Sequence, residues 1–194
     1  IKSIGEIDFW SSKIEHIDIP NTVTEIKSNA FCGNHNLDSI TIPASVTSIQ
    51  NNAFDGTNIT VFIEGDSMTF GNGLATTAGQ PTLYCKQGMD ACEGKASSVE
   101  YYIKTDNGLY QTVSDNKYFA TPSLLLQGIA CTDKQNCEDI LAAQNAGTSF
   151  KVGSKIYNSI EDFEKGNHVK YRIYTVEEAN RVAGDRNTVT IRYK

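Results

Sequence analysis

The sequence has no run of eighteen apolar residues, and its longest apolar cluster, Leu124 to Leu126, is far too short to cross a bilayer. It also shows no secretory leader, but Ile1 is not an initiator residue, so this absence describes only the stretch of chain given. Hydrophobic residues make up 39% of the 194 residues, which is ordinary for a globular protein and argues against disorder as the dominant state.

A continuous basic surface is also missing from most of the sequence. Residues 1–164 hold ten Lys or Arg and twenty Asp or Glu, a net charge of minus ten, whereas residues 165–194 hold seven and three, a net charge of plus four. Phosphate binding requires a continuous basic footprint. The acidic body therefore argues against nucleic acid as the main partner.

Catalytic motifs are the third absence. The three histidines, His16, His35 and His168, are scattered, and no Ser, Cys or carboxylate motif accompanies them. The glycine-containing segments lack a phosphate-loop lysine, and "EGDS" is too short for a calcium loop. The sequence predicts a protein that is not an enzyme and has no cofactor and no metal. An enzyme hidden in residues 98–194 and dependent on His168 is the alternative from another class.

Four of the five cysteines form two local pairs. Cys85 and Cys92 are seven residues apart, Cys131 and Cys137 are six apart, and Cys32 is left over. Zinc knuckles require shorter gaps within each pair and four converging ligands. The spacing favours two small disulfide loops, with buried thiols as the alternative, and disulfides would place the chain in an oxidising compartment.

The first part of the sequence contains an internal repeat. "IDIPNTVTEIKSNAF" at 17–31 and "ITIPASVTSIQNNAF" at 40–54 agree at nine positions with a spacing of 23 residues. "IKSI" at 1–4 matches a third copy, and each copy has a phenylalanine five residues after its isoleucine. The short alternating runs "IDI", "ITI" and "VFI" predict one strand per copy. Such a period is typical of a solenoid whose units stack and share a core.

The pattern Leu-x-x-Ile-x-Ile-Pro, followed by Val-x-x-Ile-x-x-x-Ala-Phe, resembles the BspA-type leucine-rich repeats of many surface proteins of host-associated bacteria and some protists. The likeness covers residues 1 to about 65, and a degenerate capping repeat extends to about residue 96. It implies a solenoid domain over residues 1–97. The isoleucines expected to point into its core are Ile17, Ile19, Ile40 and Ile42.

Residues 98–194 contain no repeat and are interpreted as a small α+β domain. "VEYYIKTDNGLYQTVSDNKYFA" predicts a three-stranded antiparallel meander, followed by a helix ending at Gly147 and a hairpin turning at Gly153. A capping box of Thr175 and Glu178 predicts a further helix, and "NTVTIRY" a last strand. The predicted fold class is therefore α+β and β-rich: a short leucine-rich-repeat solenoid followed by a small α+β module.

Stacked strands present their outward residues as a ladder, and this ladder is the candidate binding face. Its residues, which have mixed and modest chemistry, are His16, Asp18, Ser39, Thr41 and Val61. The resemblance and the paired cysteines together predict a non-enzymatic, adhesin-like recognition protein, secreted or at a cell surface. Its expected partner is a host or matrix protein or glycan.

A second hypothesis makes the chain a structural subunit of an extracellular filament. The chain opens in mid-repeat at Ile1, which predicts a longer parent protein or a processed fragment and leaves apolar repeat edges bare. Its basic end finishes in the strand-like segment Thr188 to Lys194. Strand addition of this segment to an open sheet edge of another copy would give head-to-tail self-association.

The cysteine pairing is directly testable by mass spectrometry of a non-reduced digest. We expect links between Cys85 and Cys92 and between Cys131 and Cys137, with Cys32 carrying a free thiol. Each short loop should stabilise the fold by about 2 kcal/mol in the chain-entropy model. A reduced digest is the control, and any bridge from Cys32 within the monomer would contradict the pairing.

Overall fold

The computed structural model describes residues 2–166 of the chain. The predicted helix at Thr175 and the predicted strand "NTVTIRY" lie outside the described residues, as does His168. Ile1 and the segment Thr188 to Lys194, which carry the head-to-tail hypothesis, also lie outside them. These expectations stay predictions.

The first half of the chain is a β-solenoid of about four turns, as the repeat predicts. In chain order, the strands of its sheets and of the meander that follows are β1 (Ser3–Ile4), β2 (Glu25–Ile26), β3 (Ser39–Ile42), β4 (Ser48–Ile49), β5 (Thr60–Ile63), β6 (Thr69–Phe70), β7 (Thr82–Lys86), β8 (Ser98–Lys104), β9 (Tyr110–Thr112) and β10 (Tyr118–Phe119). Strands β1, β2, β4 and β6 form a parallel first sheet in that order. The second sheet has the order β10-β9-β8-β7-β5-β3.

Each full turn contributes two strands, so the expectation of one strand per copy is wrong. The additional strand comes from the "VTEI"-type segment and belongs to the first sheet. It is only two residues long, which is too short to display an alternating pattern. The run "IDI" at 17–19 was expected to be a strand and forms none. The edge strand of the second sheet is therefore β3, whose ladder bonds go to β5.

The isoleucines of the repeat behave largely as expected. Ile19, Ile40 and Ile42 are buried, and Ile17 is half-buried against the same core. Because side chains alternate across a strand, burying Ile40 and Ile42 turns Ser39 and Thr41 outward.

The phenylalanines of successive copies form a continuous stack. The ring of Phe31 lies 5.1 Å from that of Phe9 and 5.2 Å from that of Phe54, and all three rings are nearly parallel. Burying one such side chain stabilises the fold by about 1.5–3 kcal/mol. That burial exists only where a neighbouring turn covers the ring, so each turn depends on the next.

The turn before each phenylalanine uses a left-handed backbone conformation. Asn29 and Asn52 both have φ of 58°, a region that asparagine tolerates better than most residues. Ile7 occupies the same place in the first copy with the same φ of 58°, although β-branched residues are strained there. Ile7 is 54% exposed, so packing of its side chain contributes little stabilisation to offset this strain.

The second sheet runs without interruption from the repeats into the second half. Strand β8 pairs in parallel with β7, with Ser98 opposite Thr82 and Tyr102 opposite Lys86. The turn between them contains a 3-10 helix at Asp90–Cys92. The division of the chain at residue 97 stays a prediction, and this sheet crosses it.

The expected antiparallel meander is confirmed as β8, β9 and β10. Helix α1 (Pro122–Leu126) follows, with the Thr121 hydroxyl accepting a hydrogen bond from the Leu124 backbone N–H at 3.1 Å. Proline at the first helical position has no N–H to leave unsatisfied, which helps to start the helix there.

The expected helix and hairpin of the second half are also confirmed. Helix α2 (Lys134–Ala146) begins after Asp133, whose carboxylate caps it, and ends at Gly147 with φ of 67°. The hairpin consists of β11 (Phe150–Val152) and β12 (Lys155–Tyr157), and α3 (Ile160–Glu164) follows.

Both expected disulfides are present, and they lie in different cores. Cys85–Cys92 has a Cα–Cα distance of 6.7 Å and belongs to the solenoid core, while Cys131–Cys137 has one of 5.4 Å and belongs to the core around α2. All five cysteines are within the described residues, and Cys32 is the unpaired one. The pairing inferred from spacing is confirmed.

The left-handed position of Ile7 predicts a stabilising substitution. Ile7→Asn should raise the free energy of unfolding by about 1 kcal/mol, because it removes a β-branched side chain from a left-handed position and places there the residue found at positions 29 and 52. Urea unfolding monitored by circular dichroism measures this. Ile7→Val keeps the β-branch and is the control; equal midpoints for the two variants would contradict the explanation.

Candidate functional site

The five residues expected to form one binding face do not share one surface. Ser39 and Thr41 are half-buried, outward-facing positions of β3. The placement of Val61 was wrong: it is fully buried, because the register of β3 and β5 pairs it with the inward-facing Ile40. The outward residue opposite Thr41 is Phe62.

The outward face of the second sheet, including part of β3, is covered by the second half of the chain. Helix α1 contacts both β3 and β5. The ring of Phe62 stacks on that of Tyr102 at 4.5 Å, and the Tyr102 hydroxyl donates a 2.6 Å hydrogen bond to the Ile63 carbonyl. The buried cluster formed in this way contains Phe62, Tyr102, Tyr110, Phe119 and Leu125. Most of this face is therefore unavailable to a partner.

The tyrosines of this cluster are held in their neutral form. Burial raises the pKa of Tyr102, and the neighbouring Tyr110 raises it further. Burial also raises the pKa of Tyr110, with a smaller effect of Glu64. The neutral Tyr102 hydroxyl is therefore available as a hydrogen-bond donor in the core, which is a structural role.

Four of the predicted residues remain accessible, the exposed His16 and Asp18 and the half-buried Ser39 and Thr41 of the edge strand β3, and we call these four the open edge. The His16 Nε2 lies 3.0 Å from the Asp18 Oδ1, and the two side chains are 77% and 93% exposed. A contact between two side chains this exposed contributes about 0–1 kcal/mol. Both side chains are therefore able to reorient toward a partner at little cost.

A second accessible surface lies on the first sheet and was missed from the sequence. Here the Gln50 side-chain amide donates to Glu25 Oε1 at 2.6 Å and accepts from the Ser28 backbone N–H at 3.3 Å. Beside this network is a shallow groove of about 270 Å³, which we call the first-sheet groove. It is lined by Ser28, Ser48, Ile49, Gln50, Asn51, Thr69, Phe70 and Gly71. Its only sequence signal is a polar residue on each side of the strand isoleucine.

Comparison with known families agrees with the geometry of the repeats. Residues 1–73 match the family model described as BspA type leucine rich repeat region, in six copies. Residues 1–73 are a BspA-type leucine-rich repeat region. No curated protein and no solved structure matches the chain.

The described residues contain neither a metal-ligating cluster nor a membrane-spanning helix. Among residues 2–166, no group of three or more His, Cys, Asp or Glu side chains is arranged to hold a metal ion. His16 and His35 are both exposed. No helix in this part of the chain is long and apolar enough to span a membrane.

The carboxylate of Asp55 joins the repeat region to the loop that follows it. Its Oδ1 accepts hydrogen bonds from three consecutive backbone N–H groups, those of Thr76 at 3.1 Å, Thr77 at 3.0 Å and Ala78 at 3.1 Å, and its Oδ2 from the Thr77 hydroxyl. Burial opposes ionisation of this carboxyl, but the bonds to Thr77 and its neighbours outweigh burial and lower the pKa of Asp55. The ionised form is the one that holds the loop.

Cys32 lies near this carboxylate and is not activated by it. Burial raises the pKa of the Cys32 thiol, and the negative charge of Asp55 raises it further. Because the thiolate is the reactive form, Cys32 is a weak nucleophile at neutral pH.

The Asp55 contacts predict a pH-dependent stability. Asp55→Ala should lower the free energy of unfolding by about 1–3 kcal/mol at pH 7, because three backbone N–H groups lose their charged acceptor. Since the folded pKa lies below the unfolded value, the stabilisation is complete above about pH 4 and is lost as the pH falls through the folded pKa. Urea unfolding at several pH values measures both effects.

Asp38→Ala is the control for this prediction, because the Asp38 side chain is exposed and makes no hydrogen bond within residues 2–166. It should change stability by less than about 0.5 kcal/mol. A gap between wild type and Asp55→Ala that stays constant down to the lowest pH would contradict the role given to the carboxylate.

Proposed function

We propose that the chain is a non-enzymatic recognition module, secreted or at a cell surface, that binds a host or matrix protein or glycan through the open edge. The observation that carries the proposal is the repeat region itself, since proteins with such repeats are typically surface adhesion or recognition proteins. Fold alone does not fix function, so the surface chemistry has to support it.

The two disulfides of the chain support an extracellular location. The disulfides Cys85–Cys92 and Cys131–Cys137 persist in oxidising compartments and are rare in the cytosol. Each closes a short loop next to a core, so both contribute to a fold that tolerates exposure outside the cell.

The chemistry of the open edge supports binding rather than catalysis. It combines an imidazole, a carboxylate and two hydroxyl groups from His16, Asp18, Ser39 and Thr41, next to the sheet edge of β3. An edge strand offers backbone groups that an extended partner segment is able to pair with. The aromatic cluster under α1 fixes the position of this edge.

The proposal is tested with the open edge replaced as a unit. Binding of the full chain to immobilised matrix proteins and glycans is measured for wild type and for His16→Ala/Asp18→Ala/Thr41→Ala. We expect the triple change to weaken binding by at least about tenfold, as for interface residues that contribute directly. Surface plasmon resonance gives the affinities.

A matched control is available on α2. Gln135 and Asp139 are an exposed, hydrogen-bonded pair like His16 and Asp18, with 3.0 Å between the Gln135 Nε2 and the Asp139 Oδ1. Gln135→Ala/Asp139→Ala should leave binding unchanged. Equal binding by wild type and the triple variant would remove the open edge as the binding surface.

A further inference from the structure

One short motif of the sequence has no part in the function proposed above. Asn58-Ile59-Thr60 is the only place in the 194 residues where an asparagine is followed, two positions later, by serine or threonine. With a residue other than proline between the two, this pattern is the acceptor motif for N-linked glycans. A three-residue pattern arises easily by chance, so the surroundings of Asn58 decide whether it is able to carry a glycan.

The side chain of Asn58 stands at the surface of the solenoid. Asn58 is exposed in the segment that leads into β5, whereas Ile59 next to it is buried in the solenoid core. A glycan is bulky and highly soluble, so it requires a surface position. An exposed asparagine beside a buried isoleucine meets this requirement without any rearrangement of the core.

The two polar atoms of the Asn58 side chain have different roles. Its Oδ1 accepts a 3.0 Å hydrogen bond from the backbone N–H of Gln80, in the next turn of the solenoid. Its Nδ2, which carries two hydrogens, makes no hydrogen bond within residues 2–166. Because glycosylation replaces one hydrogen on Nδ2 and leaves Oδ1 unchanged, the contact with Gln80 is compatible with the modification.

Other asparagines of the repeat region lack one part of this combination. Asn34 is buried, and its Nδ2 donates a 2.8 Å hydrogen bond to the Ser12 hydroxyl, so that nitrogen is not accessible. Asn36 is exposed in the segment that leads into β3, but Asp38 stands where the motif requires a hydroxyl group. Asn58 combines an exposed side chain, an unengaged Nδ2 and the hydroxyl residue.

The threonine of the motif is held in the fold through its backbone. Thr60 is the half-buried first residue of β5, and its N–H donates to the Asp38 carbonyl at 2.9 Å. Within the described part of the chain its hydroxyl makes no hydrogen bond. Strand β5 lies between β3 and β7, so an enzyme has access to this hydroxyl only before the turn has folded.

We propose that Asn58 is the acceptor of an N-linked glycan. The donor is a lipid-linked oligosaccharide diphosphate: the bond from C1 of its first sugar to the diphosphate oxygen breaks, and a bond from C1 to Nδ2 forms. The Asn58 Nδ2 loses a proton, and the lipid diphosphate leaves. The glycan then stands beside the exposed residues 76–80, which include Gln80. This proposal rests on the extracellular location proposed above and not on binding by the open edge.

The test is secretion of the full chain by a eukaryotic cell line, followed by intact-mass measurement with and without peptide N-glycanase. We expect wild type to carry a single glycan, which the enzyme removes as it converts Asn58 to aspartate. Asn58→Gln and Thr60→Val should lack the glycan, whereas Thr60→Ser should keep it, because serine retains the hydroxyl of the motif. Peptide mass spectrometry assigns the glycan to its residue.

Asn36→Gln is the matched control, because it makes the same change at an exposed asparagine outside the motif. It should be glycosylated as wild type is. If Asn58→Gln is not secreted, Thr60→Val tests the motif in its place, since valine keeps the β-branch of threonine in the strand. Circular dichroism verifies the fold of each secreted variant.

The proposal is overturned if the secreted chain contains both disulfides and no glycan, or if the glycan persists in Asn58→Gln and Thr60→Val. Either result leaves the open edge untouched, because its binding test uses different substitutions. Failure of the secreted chain to form its disulfides would contradict the extracellular location and, with it, this proposal.

Discussion

The whole molecule depends on one constraint: a single repeat turn has no means of burying its own apolar face. The stack of Phe9, Phe31 and Phe54 shows this directly, since the Phe31 ring lies between the rings of the two neighbouring turns at just over 5 Å from each. Strands of successive turns must then run parallel and in register, with Ile26 opposite Ile49. Any surface available for binding is what this stacking leaves uncovered.

The second half of the chain meets the same constraint at the far end of the stack. Strand β8 continues the parallel sheet, and β9 and β10 turn it into an antiparallel meander. Helix α1 then folds back over β3 and β5 and closes the outward aromatic cluster. The second half therefore shapes the solenoid surface: it removes most of the second sheet from solvent and leaves the open edge and the first-sheet groove.

The architecture could be predicted well from the sequence, whereas the surfaces that remain accessible could not. Repeat spacing, the cysteine pairs, the meander and the helix ending at Gly147 are local signals, and all were predictable. The two-residue strands of the first sheet were not, because alternation cannot be seen over two residues. Val61 was placed on the outward face by mistake, because the outward residue of β5 is the apolar Phe62, and an outward phenylalanine is favourable only where α1 covers it. The groove escaped detection for a related reason: its residues converge from three turns.

The degenerate turn after the repeat region shows how stacking continues when the apolar pattern fails. Residues 71–80 lack the repeat phenylalanine, but polar side chains of the preceding turn bind their backbone instead. Asn51, Asn52, Asp55 and Asn58 accept hydrogen bonds from the N–H groups of Asn72, Thr76, Thr77 and Gln80, respectively. At about 0.5–1.5 kcal/mol for each neutral bond, this ladder offsets much of the loss of one buried aromatic ring. The same Asn51 lines the groove, so the contacts that hold the last turn also fix the polar surface beside it.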